Sequence, residues 1–172
     1  RELPRLANGR SVGTARVYEL ALELISHSHG RVDGDALLAY VGAYQAIQPL
    51  KLGELWAIPI MLRLALLENL RRVVAGIAAG RSDRERAIGW VDRMSEVAAR
   101  DPAHVVLVLA DMVEEAPALT DPFVAELASR LRGQGASLAF PLAWLEQRLA
   151  EQGQTVDNVF QQVIQSQAAD QV

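Results

Sequence analysis

A long helical pattern between Gln48 and Gly76 constrains the fold more than any other part of the sequence. Large residues recur there at steps of three and four, so a helix through this segment has one apolar face along its whole length. Pro49 disfavours a helix in the residue before it, Pro59 predicts a kink, and Gly76 with Gly80 favours an end. The positions of the apolar face are Leu55, Ile58, Leu62, Ala65, Leu66, Asn69, Leu70 and Val73.

Capping signals predict where the other helices begin. A side-chain oxygen at the N-cap accepts a hydrogen bond from a free amide of the first turn, and a proline at the first helical position loses no bond. Ser82 and Glu85 have the spacing of a capping box, in which each side chain satisfies the other residue's amide. The further N-cap candidates are Asp33 or Asp35, Asp101 before Pro102, Asp121 before Pro122, and Thr155.

The chain is therefore predicted to be all-α, with roughly eight helices packed as antiparallel hairpins in one domain, residues 1–172. The segment HVVLVL, His104 to Leu109, also suits a buried strand, but its Asp-Pro start and helical neighbours favour a helix. Besides the central helix, the predicted helices run from just after Thr14 to His27, and then from Ala36 to Ile47, Ser82 to Arg100, Asp101 to Glu115, Asp121 to Arg132, Pro141 to Leu149 and Val156 to Gln167.

Composition narrows the class of protein. With 172 residues of which 51% are hydrophobic, the chain can bury a core, and the absence of cysteine excludes disulfides and thiolate metal sites. A formal net charge of −4 argues against a nucleic-acid partner. Arg63 stops the longest apolar run well short of the roughly 20 residues of a spanning helix. Because the chain also lacks an initiating methionine, we expect a soluble, excised fragment.

Two short motifs suggest metal chemistry. Asp33-Gly34-Asp35 matches the Asp-x-Asp with which many sugar-nucleotide transferases hold a divalent metal, and His27-x-His29 has the donor atoms for zinc. In those transferases the motif follows a buried strand, whereas here it follows a helix and a polar loop, so helix capping accounts for both aspartates, and a solvated loop accounts for the histidines. The sequence favours these structural roles, so it predicts no catalytic residue and no metal site in this chain.

Four segments resemble the N-terminal region of bacterial cyclic β-1,2-glucan synthases. They are RELPRLANG at 1–9, ARVYELALELISHSHGRVD at 15–33, AYQAIQPL at 43–50 and the central segment. A fifth segment, VDNVFQQVIQSQAADQV at 156–172, continues the resemblance more faintly. The resemblance implies a large parent enzyme of the inner membrane that polymerises glucose from UDP-glucose with a divalent cation. It places this chain on the cytoplasmic side, outside the transferase part.

The resemblance also singles out polar positions of the central helix. Arginine and tryptophan together often grip a sugar, through planar hydrogen bonding and ring stacking. The alternative is structural: an ordinary helix ion pair between Glu68 and Arg72, and an Asn69 that bonds a neighbouring backbone group. Lys51 replaces the usual capping residue, while Glu54 keeps its place near the positive helix end. The candidate substrate-binding residues are Glu54, Trp56, Arg63, Glu68, Asn69 and Arg72.

Three functions and several partners are left open. The chain either scaffolds or regulates the transferase by docking to the remaining domains of the parent, or it binds the β-1,2-glucan or its primer. The third function is that of a free-standing adaptor. Tyr18, Tyr40 and Tyr44 are the candidate primer tyrosines, although their positions on inward helical faces favour the core. We also expect a homodimer through the last helix, whose apolar residues are Val159, Phe160, Val163 and Ile164.

Overall fold

A computed structural model describes residues 3–7, 11–28, 31–115 and 118–170, without the side chains of 167–170. Within these ranges the secondary structure is helical, apart from an isolated bridge between Arg5 and Ala15. The predicted all-α class is confirmed, and HVVLVL is helical. The described helices are α1 (Arg16–His27), α2 (Gly34–Ile47), α3 (Leu52–Arg100), α4 (Val105–Glu114), α5 (Asp121–Gly133), α6 (Ala139–Glu151) and α7 (Val156–Asp170).

The count is seven rather than eight because α3 continues through the predicted helix start at Ser82. A capping box needs an extended backbone at its serine, and here the turns on both sides of Ser82 are helical. Glu85 binds Arg81 instead, with 2.9 Å between its Oε1 and the arginine Nε. The central helix also passes through Pro59 and Gly76 without ending.

The chain divides into two compact units, Arg1–Ala75 and Gly76–Val172. The expectation of a single domain stays a prediction. The first unit holds α1, α2 and the first half of α3, and the second holds the rest of α3 and α4 to α7.

In the first unit, α1 supplies most of the core. Val17, Ala21, Leu24 and Ile25 are buried, and Ala65 of α3 packs against two of them. Ahead of α1, the chain folds back on itself: the Leu6 amide donates to Thr14 O at 2.9 Å, and the Gly13 amide donates to Leu6 O at 3.0 Å. Gly13 has φ of +85°, which favours glycine at this turn. This arrangement fixes the start of α1.

Helix α2 contributes half-buried rather than buried side chains. Leu37, Tyr40 and Val41 face α1 and line a small apolar cavity of about 20 Å³. The three candidate primer tyrosines, including Tyr18 of α1 and Tyr44 of α2, are all half-buried.

The second unit is built around α5. Phe123, Leu127 and Leu131 of α5 are fully buried and join Met94 of α3 and Leu145 of α6 in one core. The apolar face of α7 is largely used here as well. Val159 is buried, and Phe160 and Val163 pack against the same core, while Ile164 is 57% exposed. The face of α7 expected to mediate a dimer is thus mostly covered within its own unit.

Three of the predicted caps form as expected. Asp33 Oδ1 accepts from the Ala36 amide at 2.7 Å, Asp101 Oδ1 from the Ala103 amide at 3.0 Å, and Thr155 Oγ1 from the Asn158 amide at 3.2 Å. The cap predicted at Asp121 is wrong by one residue, because Thr120 is the N-cap of α5 and makes no side-chain cap bond. Its hydroxyl donates instead to Asp83 Oδ2 at 2.6 Å, which ties α5 to α3 within the second unit.

None of the described helices is both long and apolar enough to cross a membrane.

Candidate functional site

The six candidate residues of α3 lie on two different faces of the helix. Glu54 contacts α1, and Glu68, Asn69 and Arg72 line a groove against α1. The other two candidates, Trp56 and Arg63, are exposed, Trp56 to 77%. Fourteen residues of helix, about 21 Å, also separate Glu54 from Glu68. The structure therefore does not bring the six together in one site.

Glu54 lies in a buried ion pair with Arg16, the first residue of α1. Arg16 Nε donates to Glu54 Oε1 at 3.0 Å and Arg16 Nη2 donates to Glu54 Oε2 at 2.6 Å. The Glu54 side chain is completely buried, and that of Arg16 is only 12% exposed. This two-pronged geometry is the strong form of the arginine–carboxylate contact.

Arg16 also holds two other elements. Its Nη2 donates to Pro49 O at 3.2 Å, and its guanidinium carbon lies 5.9 Å from the centre of the Tyr44 ring. One side chain thus joins α1 to the end of α2, to the loop that follows α2 and to the first turn of α3.

The electrostatics favour charge on both partners of the pair. Burial opposes ionisation of Glu54, but the Arg16 hydrogen bonds, the Lys51 amide and the nearby positive charges outweigh it and lower the pKa of the carboxyl. The hydrogen bonds to Glu54 raise the pKa of Arg16 against the effect of burial. The Lys51 amide donates to Glu54 Oε2 at 2.9 Å, so half of the capping box persists although Lys51 cannot supply the other half.

In the first unit, a groove of about 370 Å³ runs between α1 and the part of α3 from Ala65 to Arg72. Its polar wall contains three carboxylates, one amide, one hydroxyl and one guanidinium. These groups belong to Glu19, Glu23, Ser26, Glu68, Asn69 and Arg72.

The ion pair that was predicted between Glu68 and Arg72 does not form. Glu68 pairs with Arg71, with Oε2 to Nε at 2.9 Å and Oε1 to Nη2 at 2.7 Å, and not with Arg72. Arg72 Nη2 donates to Asn69 Oδ1 at 2.8 Å, so Asn69 bonds a side chain where a backbone partner was expected. The guanidinium of Arg71 donates two parallel hydrogen bonds to the Glu68 carboxylate, which is the strong form of this contact. Glu68 is therefore paired with Arg71 and does not bind Arg72. The Arg72 and Asn69 pair therefore remains directed at the groove.

Glu23 on the α1 wall accepts a hydrogen bond from the Tyr40 hydroxyl at 3.1 Å. Burial, followed by this bond to a carboxylate, raises the pKa of Tyr40 to about 12. The phenol is therefore protonated near neutral pH and serves as a donor to Glu23.

The two metal motifs have other roles where the structure describes them. Asp33 caps α2, and His27 Nδ1 lies 2.8 Å from Glu23 O one turn earlier. His29 lies outside the described residues. Among the residues that are described, no three histidine, aspartate or glutamate side chains group closely enough to hold a metal ion.

One surface was missed by the sequence reasoning. A row of exposed apolar side chains runs along α3 on the side opposite the core, and its members recur at steps of three and four. The pattern was visible in the sequence, since this segment is apolar nearly all round, but only one apolar face was predicted. Leu70 was predicted to lie on that face and is instead 58% exposed on the outer side. The row consists of Leu52, Trp56, Ile60, Leu64, Leu67, Leu70 and Val74, and we call it the outer stripe of α3.

No protein-family model matches the chain. Over 157 residues, 91% of its length, the chain is 34% identical to the cyclic beta-(1,2)-glucan synthase NdvB of Rhizobium meliloti (strain 1021). The match covers only 5% of that protein's length. The predicted resemblance to this synthase is thus confirmed, for a segment of it.

Proposed function

We propose that this chain is a helical region of a cyclic β-1,2-glucan synthase that supports glucosyl transfer from UDP-glucose without carrying out the transfer. The observation that carries the proposal is the 34% identity along 91% of the chain. In this proposal the transferase site, with its UDP-glucose and divalent cation, lies in another part of the parent. The parent is held at the inner membrane, and this region lies on its cytoplasmic side.

The roles of the acidic residues support a structural function. Glu54 is buried and paired with Arg16, and Asp33 Oδ1 accepts the cap bond of α2, so both carboxylates hold helices in place. Asp83 is bound by the Thr120 hydroxyl and by Arg86. The contacts of these three carboxylates therefore favour structural roles over catalytic ones.

Glucan synthesis by the parent enzyme tests this function. The deleted synthase lacks the segment that corresponds to this chain, residues 1–172 in the numbering used here. Membranes that contain it should incorporate far less glucose from labelled UDP-glucose than membranes with the intact enzyme at equal abundance. The purified chain alone, with UDP-glucose and Mg²⁺, should release no UDP above buffer. An unchanged rate in the deleted synthase would refute a supporting role. UDP release by the chain that disappears in Asp33→Ala would refute the absence of catalysis.

The groove between α1 and α3 favours a second candidate function, which is binding of the β-1,2-glucan or its primer. Its volume of about 370 Å³ is in the range of small-molecule sites, and its walls offer both donors and acceptors to hydroxyl groups. Titration calorimetry with short linear and cyclic β-1,2-glucans tests it. Binding should weaken in Asn69→Ala and Arg72→Ala but not in Arg63→Ala, since Arg63 lies outside the groove.

A further inference from the structure

The outer stripe of α3 is an unusually apolar surface. Its seven side chains are between 46% and 77% exposed, with Leu64 the least and Trp56 the most accessible. Monomeric proteins seldom expose contiguous apolar patches of more than a few hundred Å², and larger ones mark interaction sites. The stripe extends along about six helical turns, and the exposed area of its seven large side chains is on the order of the 800 Å² that one partner contributes to a standard interface. The stripe thus has the size of a docking surface.

An open groove adjoins the stripe and gives it shape. It has a volume of about 430 Å³ and lies between the start of α1 and the middle of the α3 segment in the first unit. Leu64 and Leu67 belong to both the stripe and the groove, while Tyr18 and Met61 form the groove's inner wall. An apolar helix laid along the stripe would place one row of its side chains in this groove.

A charged residue interrupts the stripe at its midpoint. Arg63 is exposed and lies eleven positions from Leu52 and eleven from Val74. It forms no ion pair with any residue in the described part of the chain. The occupant of the stripe must therefore accommodate a guanidinium in the middle of an apolar contact.

This charge argues against two occupants. In a two-fold pair of fully overlapped stripes, Arg63 would face Arg63 of the other copy, and like charges inside an interface are strongly unfavourable. A lipid surface would accept the leucines and Trp56, but Arg63 would have to bend away from the acyl region towards the headgroups. A protein segment with a carboxylate at the matching position satisfies the guanidinium in place.

We propose that the outer stripe of α3 docks an apolar helical segment from the remainder of the synthase polypeptide, with a carboxylate of that segment bound to Arg63. The proposal rests on the proposed function above. Its support, beyond the charge, is that the chain spans 5% of the length of NdvB, so most of such a polypeptide lies outside these residues.

Photo-crosslinking in the full-length synthase, expressed in its native membrane, tests the proposal. A benzophenone amino acid is placed at Ile60 on the stripe and, as the control, at Leu38 on α2. Leu38 is an apolar residue of the same unit and is 73% exposed, but it lies outside the stripe. Mass spectrometry should identify one peptide outside residues 1–172, with an aspartate or glutamate, crosslinked from position 60 and not from position 38.

A charge exchange then tests the role of Arg63. Arg63→Glu should lower the crosslink yield from position 60 at least tenfold, Arg63→Lys should retain most of it, and replacing the partner's carboxylate by arginine in the Arg63→Glu background should restore it. The crosslink yields of these three variants and of the unaltered synthase are compared at equal abundance of the protein.

Four results would overturn the proposal: a crosslink from position 60 to residues 1–172 of a second copy, a crosslink to phospholipid alone, no crosslink, or a yield that Arg63→Glu leaves unchanged. Each of these leaves the proposed function standing if the synthase without residues 1–172 still loses glucan synthesis. If that deletion has no effect, the proposed function fails whatever the crosslink shows. The two failures are thus distinguishable.

Discussion

Replacing Glu54 by glutamine should destabilise the chain more than any other single polar substitution in the first unit. The substitution preserves the shape of the side chain and removes its charge. Glu54 Oε1 and Oε2 together accept from Arg16 Nε, Arg16 Nη2 and the Lys51 amide, so the amide nitrogen of glutamine would face at least one of these donors.

The magnitude follows from the burial of the pair. Removing one partner of a buried ion pair costs roughly 3–5 kcal/mol, because the remaining charge stays desolvated and unpaired. The Arg16 side chain retains 12% exposure and a bond to Pro49 O, which gives the stranded guanidinium some compensation. We therefore expect the lower end, about 3 kcal/mol. For a chain of this size this is a fall of roughly 6–12 °C in the melting temperature.

Thermal and urea unfolding followed by far-ultraviolet circular dichroism measures the effect. Glu68→Gln is the matched control, because it removes the same charge from the same helix but from an exposed pair with Arg71. The control should leave the unfolding midpoint unchanged. A double-mutant cycle with Arg16→Met isolates the coupling between the two side chains.

The reasoning would be refuted if Glu54→Gln shifted the midpoint no more than Glu68→Gln, or if the effects of Glu54→Gln and Arg16→Met were additive. Either result would mean that the pair contributes nothing beyond its separate side chains. The contacts around Arg16 would then not be what holds α1 against α3.

Three further predictions concern the ion pair, the cap of α2 and the core of the second unit. The folded-state pKa of Glu54 is lowered from its ordinary value of 4.5. The contribution of the pair to the free energy of unfolding should therefore be complete above about pH 4.5 and be lost as the pH falls through the folded-state pKa. When unfolding is measured as a function of pH, this loss of stability in acid should be smaller in Glu54→Gln. Asp33→Ala should cost about 1 kcal/mol through the lost cap of α2, whereas Asp35→Ala, which removes a carboxylate that makes no such cap bond, should cost less in the same urea titrations. Phe160→Asp should destabilise the second unit rather than dissociate a dimer, since Phe160 packs against that unit's core; a lowered mass in light scattering with unchanged stability would contradict this.

Local signals in the sequence predicted the helix starts well. Asp33, Asp101 and Thr155 each bond an amide within their own first turn, so the residues that decide the cap are adjacent in sequence. The Ser82 signal failed for a related reason: a capping box is only a start when the turn before it is not helical, and no local pattern specifies that. At Asp121 the shift of one residue arises from Thr120, whose hydroxyl is bound by Asp83, 37 residues away.

The site could be predicted only in part. The resemblance identified Glu54, but its partner Arg16 is 38 residues earlier, and nothing in the spacing of either residue connects them. The two faces of α3 could not be ranked from the sequence either, because both carry leucines at helical spacing. Only the packing of α1 against Ala65 shows which face is covered and leaves Trp56 and Arg63 on the other.

The most direct test of the supporting role is the addition of the purified chain to membranes that contain the synthase without residues 1–172. Incorporation of labelled glucose from UDP-glucose into cyclic β-1,2-glucan should return towards the level of the intact enzyme as the chain is titrated in. Failure of the folded chain to raise incorporation at any concentration, while the intact synthase remains active in matched membranes, would contradict the account.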